Sequence, residues 1–292
     1  MLDGAGGRVP TALRIGLLTA LTMIAFAGNS LLCRLALRDT TIDAATFTSV
    51  RLASGALILM AIVRLRGGGR PMAGGSWPGA AMLFVYAAGF SFAYRELSAA
   101  TGALILFGAV QLTMIGYGLW SGERLRGLQL AGLTTALAGL VYLLLPGLSA
   151  PPLRDAAFML AAGMAWGVYS LLGRGAADPT EATAGNFLRA LPFAAVLCLA
   201  FSRNAAGDPL GVFYAVLSGA VTSGLGYALW YAVLPALKAT SAATIQLCVP
   251  ALAALGGVVL LAEPVTLRLL AASAAILGGI ALTIVRLAKA RG

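Results

Sequence analysis

The sequence predicts an all-α integral membrane protein with ten transmembrane helices, arranged as two inverted five-helix repeats with both termini in the cytoplasm. Three observations support this fold class. The composition is strongly apolar, because 60% of the 292 residues are hydrophobic, only 10% are charged and the mean hydropathy is +0.92. The apolar residues form ten runs of membrane-spanning length. The second half of the chain also repeats residue patterns of the first half.

The ten runs are separated by short connections in which Gly, Pro, Asn, Asp and charged residues cluster. A helix crosses the hydrocarbon core with about 20 apolar residues, so each run is long enough for one crossing. No soluble domain fits between them. The predicted spans are Ala12–Leu35, Ala44–Leu65, Pro78–Tyr94, Leu97–Trp120, Arg126–Leu145, Leu153–Gly173, Thr180–Ser202, Pro209–Leu234, Ala239–Ala262 and Thr266–Leu287.

The distribution of basic residues predicts the orientation of the chain. Lys and Arg are more frequent in the connections that share a side with the N-terminus, and such connections lie in the cytoplasm. The formal net charge of +10 is scattered in ones to threes at the ends of apolar runs. We therefore expect contact with membrane lipid and no binding of nucleic acid.

The internal repeat divides the chain into residues 1–148 and 149–292. Glu123 falls on Glu263 and Arg34 on Arg174 at one common offset. A repeat of five spans is odd, so the second copy lies inverted relative to the first. Inverted repeats give two packings, each open to one side, around a site near the membrane midplane. This pattern favours a carrier that works by alternating access and is complete as a monomer.

Two stretches of sequence resemble a known family. "SGERLRGLQLAGLTTALAGL" from Ser121 and "LAEPVTLRLLAASAAILGG" from Leu261 resemble the paired EamA-type repeats of the drug/metabolite transporter superfamily. More narrowly, the chain resembles bacterial aromatic amino acid exporters, which implies a multi-pass protein of the bacterial inner membrane. The resemblance also implies that Glu123 and Glu263 are structural carboxylates at helix ends, which accept hydrogen bonds from the next helix. A role in transport is the alternative for either residue.

Polar and aromatic residues within the spans are candidates for binding a substrate. Asn29 and Gln246 are favoured because Asn29 follows Gly28 and Gln246 precedes Pro250, where helices can loosen. Hydrogen bonding between helices is the alternative for the amides, and a lipid-facing belt is the alternative for the aromatic residues. The full candidate set is Asn29, Trp166, Tyr169, Gln246, Tyr86, Phe90, Gln111, Tyr227 and Trp230.

Two arginines interrupt spans at positions that the repeat makes equivalent. Arg51 falls on Arg189 after a slip of two residues. Each is a possible partner for a substrate carboxylate through a bidentate contact. A scaffold role, in which the guanidinium braces backbone carbonyls or extends to the interface, is the alternative.

The sequence predicts no cofactor, no metal and no enzymatic activity. It contains no histidine, and Cys33, Cys198 and Cys248 lie inside apolar runs without ligand spacing. No Asp or Glu occupies the middle third of a predicted span, so we expect uncoupled facilitated diffusion. A proton-coupled drug/metabolite antiporter is the alternative, and a membrane-embedded enzyme is a remote one. Amides and aromatic faces suit an amino acid, and the resemblance implies aromatic and other large neutral ones.

Overall fold

The protein is described here by a computed structural model covering residues 11–67, 74–122, 124–125, 127–147, 150–174, 176–237 and 245–290. These residues form ten principal helices, as an all-α fold predicts. The helices are α1 (Thr11–Asp39), α2 (Ala44–Leu65), α3 (Trp77–Ala93), α4 (Ala99–Trp120), α5 (Leu128–Leu144), α6 (Leu153–Leu172), α7 (Pro179–Ala200), α8 (Pro209–Val233), α9 (Cys248–Leu261) and α10 (Leu267–Ala290).

Six of these helices are long and apolar enough to cross a membrane, and four further apolar helices are shorter. The long ones are Leu13–Asp39, Ala44–Leu65, Ala99–Trp120, Leu153–Leu172, Pro179–Ala200 and Pro209–Val233. The shorter ones are Trp77–Ala93, Leu128–Leu144 and Cys248–Leu261, and in α10 the apolar stretch whose side chains are described is Leu267–Thr283. Ten separate crossings and the cytoplasmic placement of both termini therefore stay predictions.

Side-chain caps explain where several helices begin. The carboxylates of Asp43, Asp178 and Asp208 accept hydrogen bonds from backbone N–H groups in the first turns of α2, α7 and α8. Such a cap satisfies donors that have no partner within the helix. Proline follows Asp178 and Asp208 at the first helical position, where its missing N–H costs nothing.

A turn interrupts the ninth predicted span within the described residues. Gln246 is helical, but a turn at Leu247 separates it from α9. Pro250 has no N–H to donate to the Gln246 carbonyl, which accounts for this break. The expected loosening before Pro250 is therefore confirmed. The corresponding expectation at Gly28 is wrong, because α1 runs through it without interruption.

Helix α8 contains a wide segment that the sequence analysis did not predict. Residues Leu217–Leu225 adopt the π form, in which each backbone N–H donates to the carbonyl five residues earlier instead of four. This segment packs closely on α2. A Cβ added to Gly219 would overlap the Ser54 hydroxyl and the Arg51 carbonyl, so only glycine permits this approach.

The packing places α1, α3, α4, α6 and α8 around the centre of the molecule. Helix α6 packs on α3 and α4, while α1 packs on α8 and α9. Helix α2 packs on α7, and α5 packs on α10. Small residues permit the last contact, since a Cβ at Gly132 would come within 2.6 Å of the Gly279 carbonyl oxygen.

Candidate functional site

The described residues enclose a cavity of about 430 Å³, here called the outer chamber. Its mouth lies where α6 ends and α7 begins, beside Gly173, Arg174, Ala176 and Pro179. Its walls are mainly aromatic and aliphatic, with two amides, one serine hydroxyl and two tyrosine hydroxyls. The wall residues are Phe26, Val110, Gln111, Met114, Trp166, Ser170, Tyr227, Trp230, Tyr231, Leu234, Leu237 and Gln246.

A second cavity, the inner chamber, lies deeper in the molecule and has a volume of about 20 Å³. Its walls are Phe26, Asn29, Ser30, Tyr86, Phe90, Leu106, Phe107, Trp166, Thr222 and Tyr227. Phe26, Trp166 and Tyr227 line both chambers and form an aromatic partition between them. The ring centroids of Trp166 and Tyr227 are 5.1 Å apart, and those of Phe26 and Tyr227 are 5.9 Å apart. The two chambers are therefore one path divided by ring contacts.

Asn29 lies at the centre of a buried hydrogen-bond network. Its Oδ1 accepts from the Ser218 hydroxyl at 2.7 Å and from the Thr222 hydroxyl at 3.2 Å, both in the wide segment of α8. Its Nδ2 donates to Tyr86 Oη at 3.3 Å. The amide thus joins α1, α3 and α8 at the wall of the inner chamber.

Arg51 lies directly behind this wall and is only 1% exposed. Its Nη2 donates to Tyr86 Oη at 3.0 Å, and its Nε donates to the Ser223 hydroxyl at 3.3 Å. The guanidinium carbon lies 5.1 Å from the ring centroid of Tyr86 and 4.9 Å from that of Phe90. Such cation–π contacts partly compensate the burial of the charge.

Arg189 has different surroundings, although the repeat makes it equivalent to Arg51. Its Nη1 donates to the Gly74 carbonyl at 2.7 Å and to the Gly185 carbonyl at 3.1 Å. These are bonds to backbone, away from both chambers. The geometry therefore resembles the scaffold alternative for Arg189 more than a contact with a substrate.

Tyr169 lies beside the partition but lines neither chamber. Its ring stacks on Trp166 with centroids 5.3 Å apart. Its hydroxyl contacts Thr183 and accepts from Asn186 Nδ2 at 3.4 Å. Asn186 Oδ1 in turn accepts from the Ser76 backbone N–H at 2.8 Å. These bonds link α6 and α7 to the start of α3, so Tyr169 supports Trp166 from behind.

The end of the bundle opposite the mouth is closed by a buried ion pair. Arg34 Nε lies 3.1 Å from Glu263 Oε1, and the two side chains are only 13% and 7% exposed. Glu263 Oε2 accepts from the Ala99 N–H at the start of α4, at 2.8 Å. Arg34 Nη1 donates to the carbonyls of Tyr94 and Arg95 at 3.1 and 2.7 Å. This cluster, the closed end, joins α1, α3, α4 and α9.

Helix α4 gives the separation between the two ends. Ala99 belongs to the closed end, whereas Gln111 lines the outer chamber. At about 1.5 Å per residue, the step from Ala99 to Gln111 is about 18 Å along the helix. The outer chamber and the closed end are thus about three helical turns apart along α4.

Two connections are joined by reciprocal caps. Asp43 Oδ2 accepts from the Ala206 N–H at 3.1 Å, while Thr41 contacts Asp208 Oδ2 at 3.4 Å. Burial alone would raise the pKa of the Asp43 carboxyl. Hydrogen bonds from Thr46, Ala206 and Ala45 outweigh that effect and hold the pKa below its usual range. The α1–α2 and α7–α8 connections are therefore held together by ionised carboxylates.

The structure brings together most of the predicted binding residues. Asn29, Tyr86, Phe90, Trp166 and Tyr227 meet at the inner chamber, and Gln111, Trp230 and Gln246 line the outer chamber. Tyr169 and Arg189 lie elsewhere. Glu263 occupies a helix end as predicted, but the N–H that it accepts from belongs to Ala99 at the start of α4 and not to the next helix, α10, so that part of the prediction is wrong. Its repeat counterpart Glu123 lies outside the described residues.

Sequence reasoning missed the hydroxyl groups of α8. Ser218, Thr222 and Ser223 hold Asn29 and Arg51, and all three lie in the wide segment. The available signal was the run of small and hydroxyl residues from Ser218 to Gly224. Within the described residues, no group of three or more His, Cys, Asp or Glu side chains is placed to hold a metal ion.

Comparison with known proteins shows similarity to a transporter family and to two uncharacterized proteins. Residues 154–285 match the EamA-like transporter family. The chain is 60% identical to an uncharacterized protein of Pseudomonas aeruginosa over 266 residues, which cover 91% of this chain and 93% of that protein. It is 27% identical to an uncharacterized transporter of Archaeoglobus fulgidus over 251 residues, which cover 80% and 84% of the two chains.

The fold also resembles a known one. A solved crystal structure of a protein with no stated function superposes with a TM-score of 0.63 at 24% identity. The superposition covers 90% of this chain and 98% of the other. This likeness concerns the fold alone.

Proposed function

Residues 154–285 form a domain of the EamA-like transporter family, and from that premise we propose that the chain is a membrane transporter that exports amino acids by alternating access. The proposed substrates are aromatic and other large neutral amino acids. The observation that carries the proposal is the outer chamber, which is lined by aromatic rings and two amides and is sealed at one end. Such a lining suits a zwitterion with an apolar body.

We propose that the ten helices are two inverted repeats, residues 1–148 and 149–292. The helix contacts support this because they occur in matched pairs. In the proposed repeat, α1 to α5 correspond in order to α6 to α10. Under this correspondence the α3–α6 contact becomes the α8–α1 contact, and the α4–α6 contact becomes the α9–α1 contact. The α2–α7 and α5–α10 contacts map onto themselves, and each of these contacts occurs. The family match at residues 154–285 falls within the second proposed repeat.

The proposed orientation identifies the side of the membrane to which the outer chamber opens. With both termini in the cytoplasm, α6 ends on the cytoplasmic side of a bacterial inner membrane, and the outer chamber opens there. The conformation is then the one that accepts substrate from the cytoplasm. Sealing the mouth and opening the closed end would release it outside. One chain contains the whole path, so the proposed functional unit is a monomer.

The proposed transport is facilitated diffusion without ion coupling. Among the described residues that line the two chambers there is no Asp or Glu. Glu263 is held by Arg34 and by the Ala99 N–H. A proton-driven exchange usually requires an intramembrane carboxylate that gains and loses its proton along the path.

Proteoliposomes containing the purified chain test both parts of the proposal. Labelled phenylalanine, tryptophan and leucine should equilibrate saturably across the membrane, while lysine and glutamate should not. An imposed pH gradient should leave the final distribution unchanged. Accumulation of phenylalanine against its gradient, driven by the pH gradient alone, would refute uncoupled transport. Absence of saturable uptake for every neutral amino acid would refute the substrate class.

A further inference from the structure

The charge of Arg51 is the feature of this site that a neutral aromatic cavity does not explain. The side chain is 1% exposed. The ion pairs among the described residues are Arg34–Glu263 and Arg38–Asp39, so no described carboxylate neutralises Arg51. A buried cation without a counter-ion is costly in a membrane protein and commonly marks a functional site.

The hydrogen bonds of Arg51 leave part of its guanidinium unused. A guanidinium carries five N–H donors. Nε donates to Ser223 and Nη2 donates to Tyr86, whereas Nη1 has no acceptor among the described residues. The groups that contact Arg51 are neutral hydroxyls and aromatic rings. An anion would satisfy the remaining donors better than these groups do.

The position of Arg51 relative to the inner chamber indicates where such an anion would bind. Tyr86 and Phe90 contact the guanidinium and also form the chamber wall. Tyr86 Oη accepts from both Arg51 Nη2 and Asn29 Nδ2. An arginine and an amide donor from α2 and α1 therefore converge on one point at the inner end of the path.

We propose that Arg51 and Asn29 form a carboxylate subsite at the inner end of the cavity. The proposal deepens the proposed function and rests on it for the premise that a small organic molecule enters this path. The carboxylate binds beside Tyr86 and Asn29 under the charge of Arg51. The apolar body lies in the outer chamber, among Trp166, Trp230 and Tyr231. The subsite thus selects molecules that carry an acid group at one end and an apolar group at the other.

The volume of the inner chamber adds a second consequence. About 20 Å³ accommodates a single water molecule, and a carboxylate is larger. Entry of a carboxylate therefore requires the contact between Trp166 and Tyr227 to open. Because these rings belong to α6 and α8, binding of the acid group separates side chains of two helices of the central bundle.

Binding of three related molecules to the purified chain in detergent tests the subsite. The molecules are L-phenylalanine, 3-phenylpropionate, which lacks the ammonium group, and L-phenylalaninamide, which lacks the carboxylate. The measured quantity is the concentration of each that produces half of the maximal increase in melting temperature. Both acids should bind at least about tenfold more tightly than the amide, since charge-assisted hydrogen bonds are lost with the carboxylate.

Arg51→Gln should abolish this preference, and Arg51→Lys should retain part of it. The matched control is Arg189→Gln, which removes the equivalent arginine of the other half and should keep the preference. Equal affinity of wild-type protein for the amide and the acids would overturn the subsite, as would an unchanged preference in Arg51→Gln. If Arg51→Gln does not fold, the binding preference of the wild-type protein and of Arg51→Lys for the acids over the amide tests the subsite.

The outcome is distinguishable from failure of the proposed function, because binding in detergent needs no compartment. A chain that binds both acids but transports no amino acid would retain the subsite and refute amino acid export. A chain that transports phenylalanine but binds the amide equally well would retain export and refute the subsite. Lack of binding by both acids would also refute the subsite.

Discussion

Trp166 contacts three aromatic rings at the boundary between the two chambers. Its ring centroid lies 4.7 Å from that of Tyr86, 5.1 Å from that of Tyr227 and 5.3 Å from that of Tyr169. The side chain is partly exposed to both chambers. At this position an indole can stack on an apolar substrate while it separates the inner chamber from the mouth.

Replacing Trp166 with alanine should weaken transport of aromatic amino acids. We expect the KM for phenylalanine to rise about tenfold, because a stacking partner and its buried apolar area are lost. Trp120→Ala is the matched control, since Trp120 is 84% exposed and lines neither chamber. Initial rates in proteoliposomes measure both. Unchanged kinetics in Trp166→Ala would show that the partition does not contact substrate.

Asp43 allows a test of the caps that join two connections. Its folded-state pKa is lowered, so its contribution to stability is complete above the unfolded value of about 4 and is lost as the pH falls through the folded value. Asp43→Asn should therefore lower the melting temperature at pH 7, by a destabilisation of about 1 kcal/mol. The difference from wild type should shrink below about pH 4. An equal difference at both pH values would contradict an ionised cap.

Much of the site was predictable residue by residue, because polar and aromatic groups within spans are few. Asn29, Trp166 and Gln246 line chambers, as their residue types indicated. The burial of Arg51 could not be predicted from its type alone. Arg51 and Arg189 are equivalent by the repeat, yet one contacts rings and hydroxyls while the other contacts backbone carbonyls. That difference depends on which neighbouring helix each arginine meets.

The wide segment of α8 is the element that organises the inner chamber. In the π form, Ser218 and Thr222 face Asn29 while Ser223 faces Arg51. A π segment presents side chains at angles that a regular α-helix does not, and such segments frequently occur at functional sites. The contact with α2 at Gly219 keeps this arrangement in place.

Gly219→Ala should disturb both this contact and transport. The added methyl group would overlap the Ser54 hydroxyl and the Arg51 carbonyl, and the carbonyl cannot move without shifting α2. We expect a destabilisation of roughly 1–3 kcal/mol, typical of overpacking. Gly278→Ala is the control, because no heavy atom outside its own helix backbone lies within 4 Å of its added Cβ. Equal melting temperatures for the two variants would contradict the close packing.

The helices were more predictable than their internal irregularities. Apolar runs between capping and turn residues placed α2 at Ala44–Leu65, as observed, and placed most other boundaries within a few residues. Pro250 revealed the break before α9, because a missing N–H is a property of one residue type. The wide segment of α8 has no comparable marker. It depends on close packing between two helices that are far apart in sequence.

At the scale of the whole molecule, the two ends of the path differ in their contacts. The mouth exposes Arg174, whereas Arg34 is held by Glu263 and two backbone carbonyls at the opposite end. A carrier that opens one end at a time must break the contacts of the closed end before it opens there. The Arg34–Glu263 pair is therefore expected to set the balance between the two conformations.

Labelling of a cysteine in the outer chamber would report this balance. In a variant without Cys33, Cys198 and Cys248, Ser170→Cys should react with an impermeant maleimide from the cytoplasmic side. Adding Glu263→Gln should slow that reaction roughly fivefold, because losing a charged hydrogen bond favours the opposite conformation. Asp39→Asn is the control, since it breaks an exposed pair at the same end. Equal slowing by both changes would contradict a specific role for Glu263.

Counterflow tests the central claim, that the chain is a carrier with one substrate site alternately open to each side. Proteoliposomes are loaded with unlabelled phenylalanine and diluted into a trace of labelled phenylalanine. The account predicts a transient accumulation of label inside, saturable by external phenylalanine and absent from protein-free vesicles. Each unlabelled molecule that leaves turns the site toward the outside, where it binds labelled phenylalanine and carries it in. Uptake that is linear in concentration and indifferent to the internal load would contradict the account and indicate a pore.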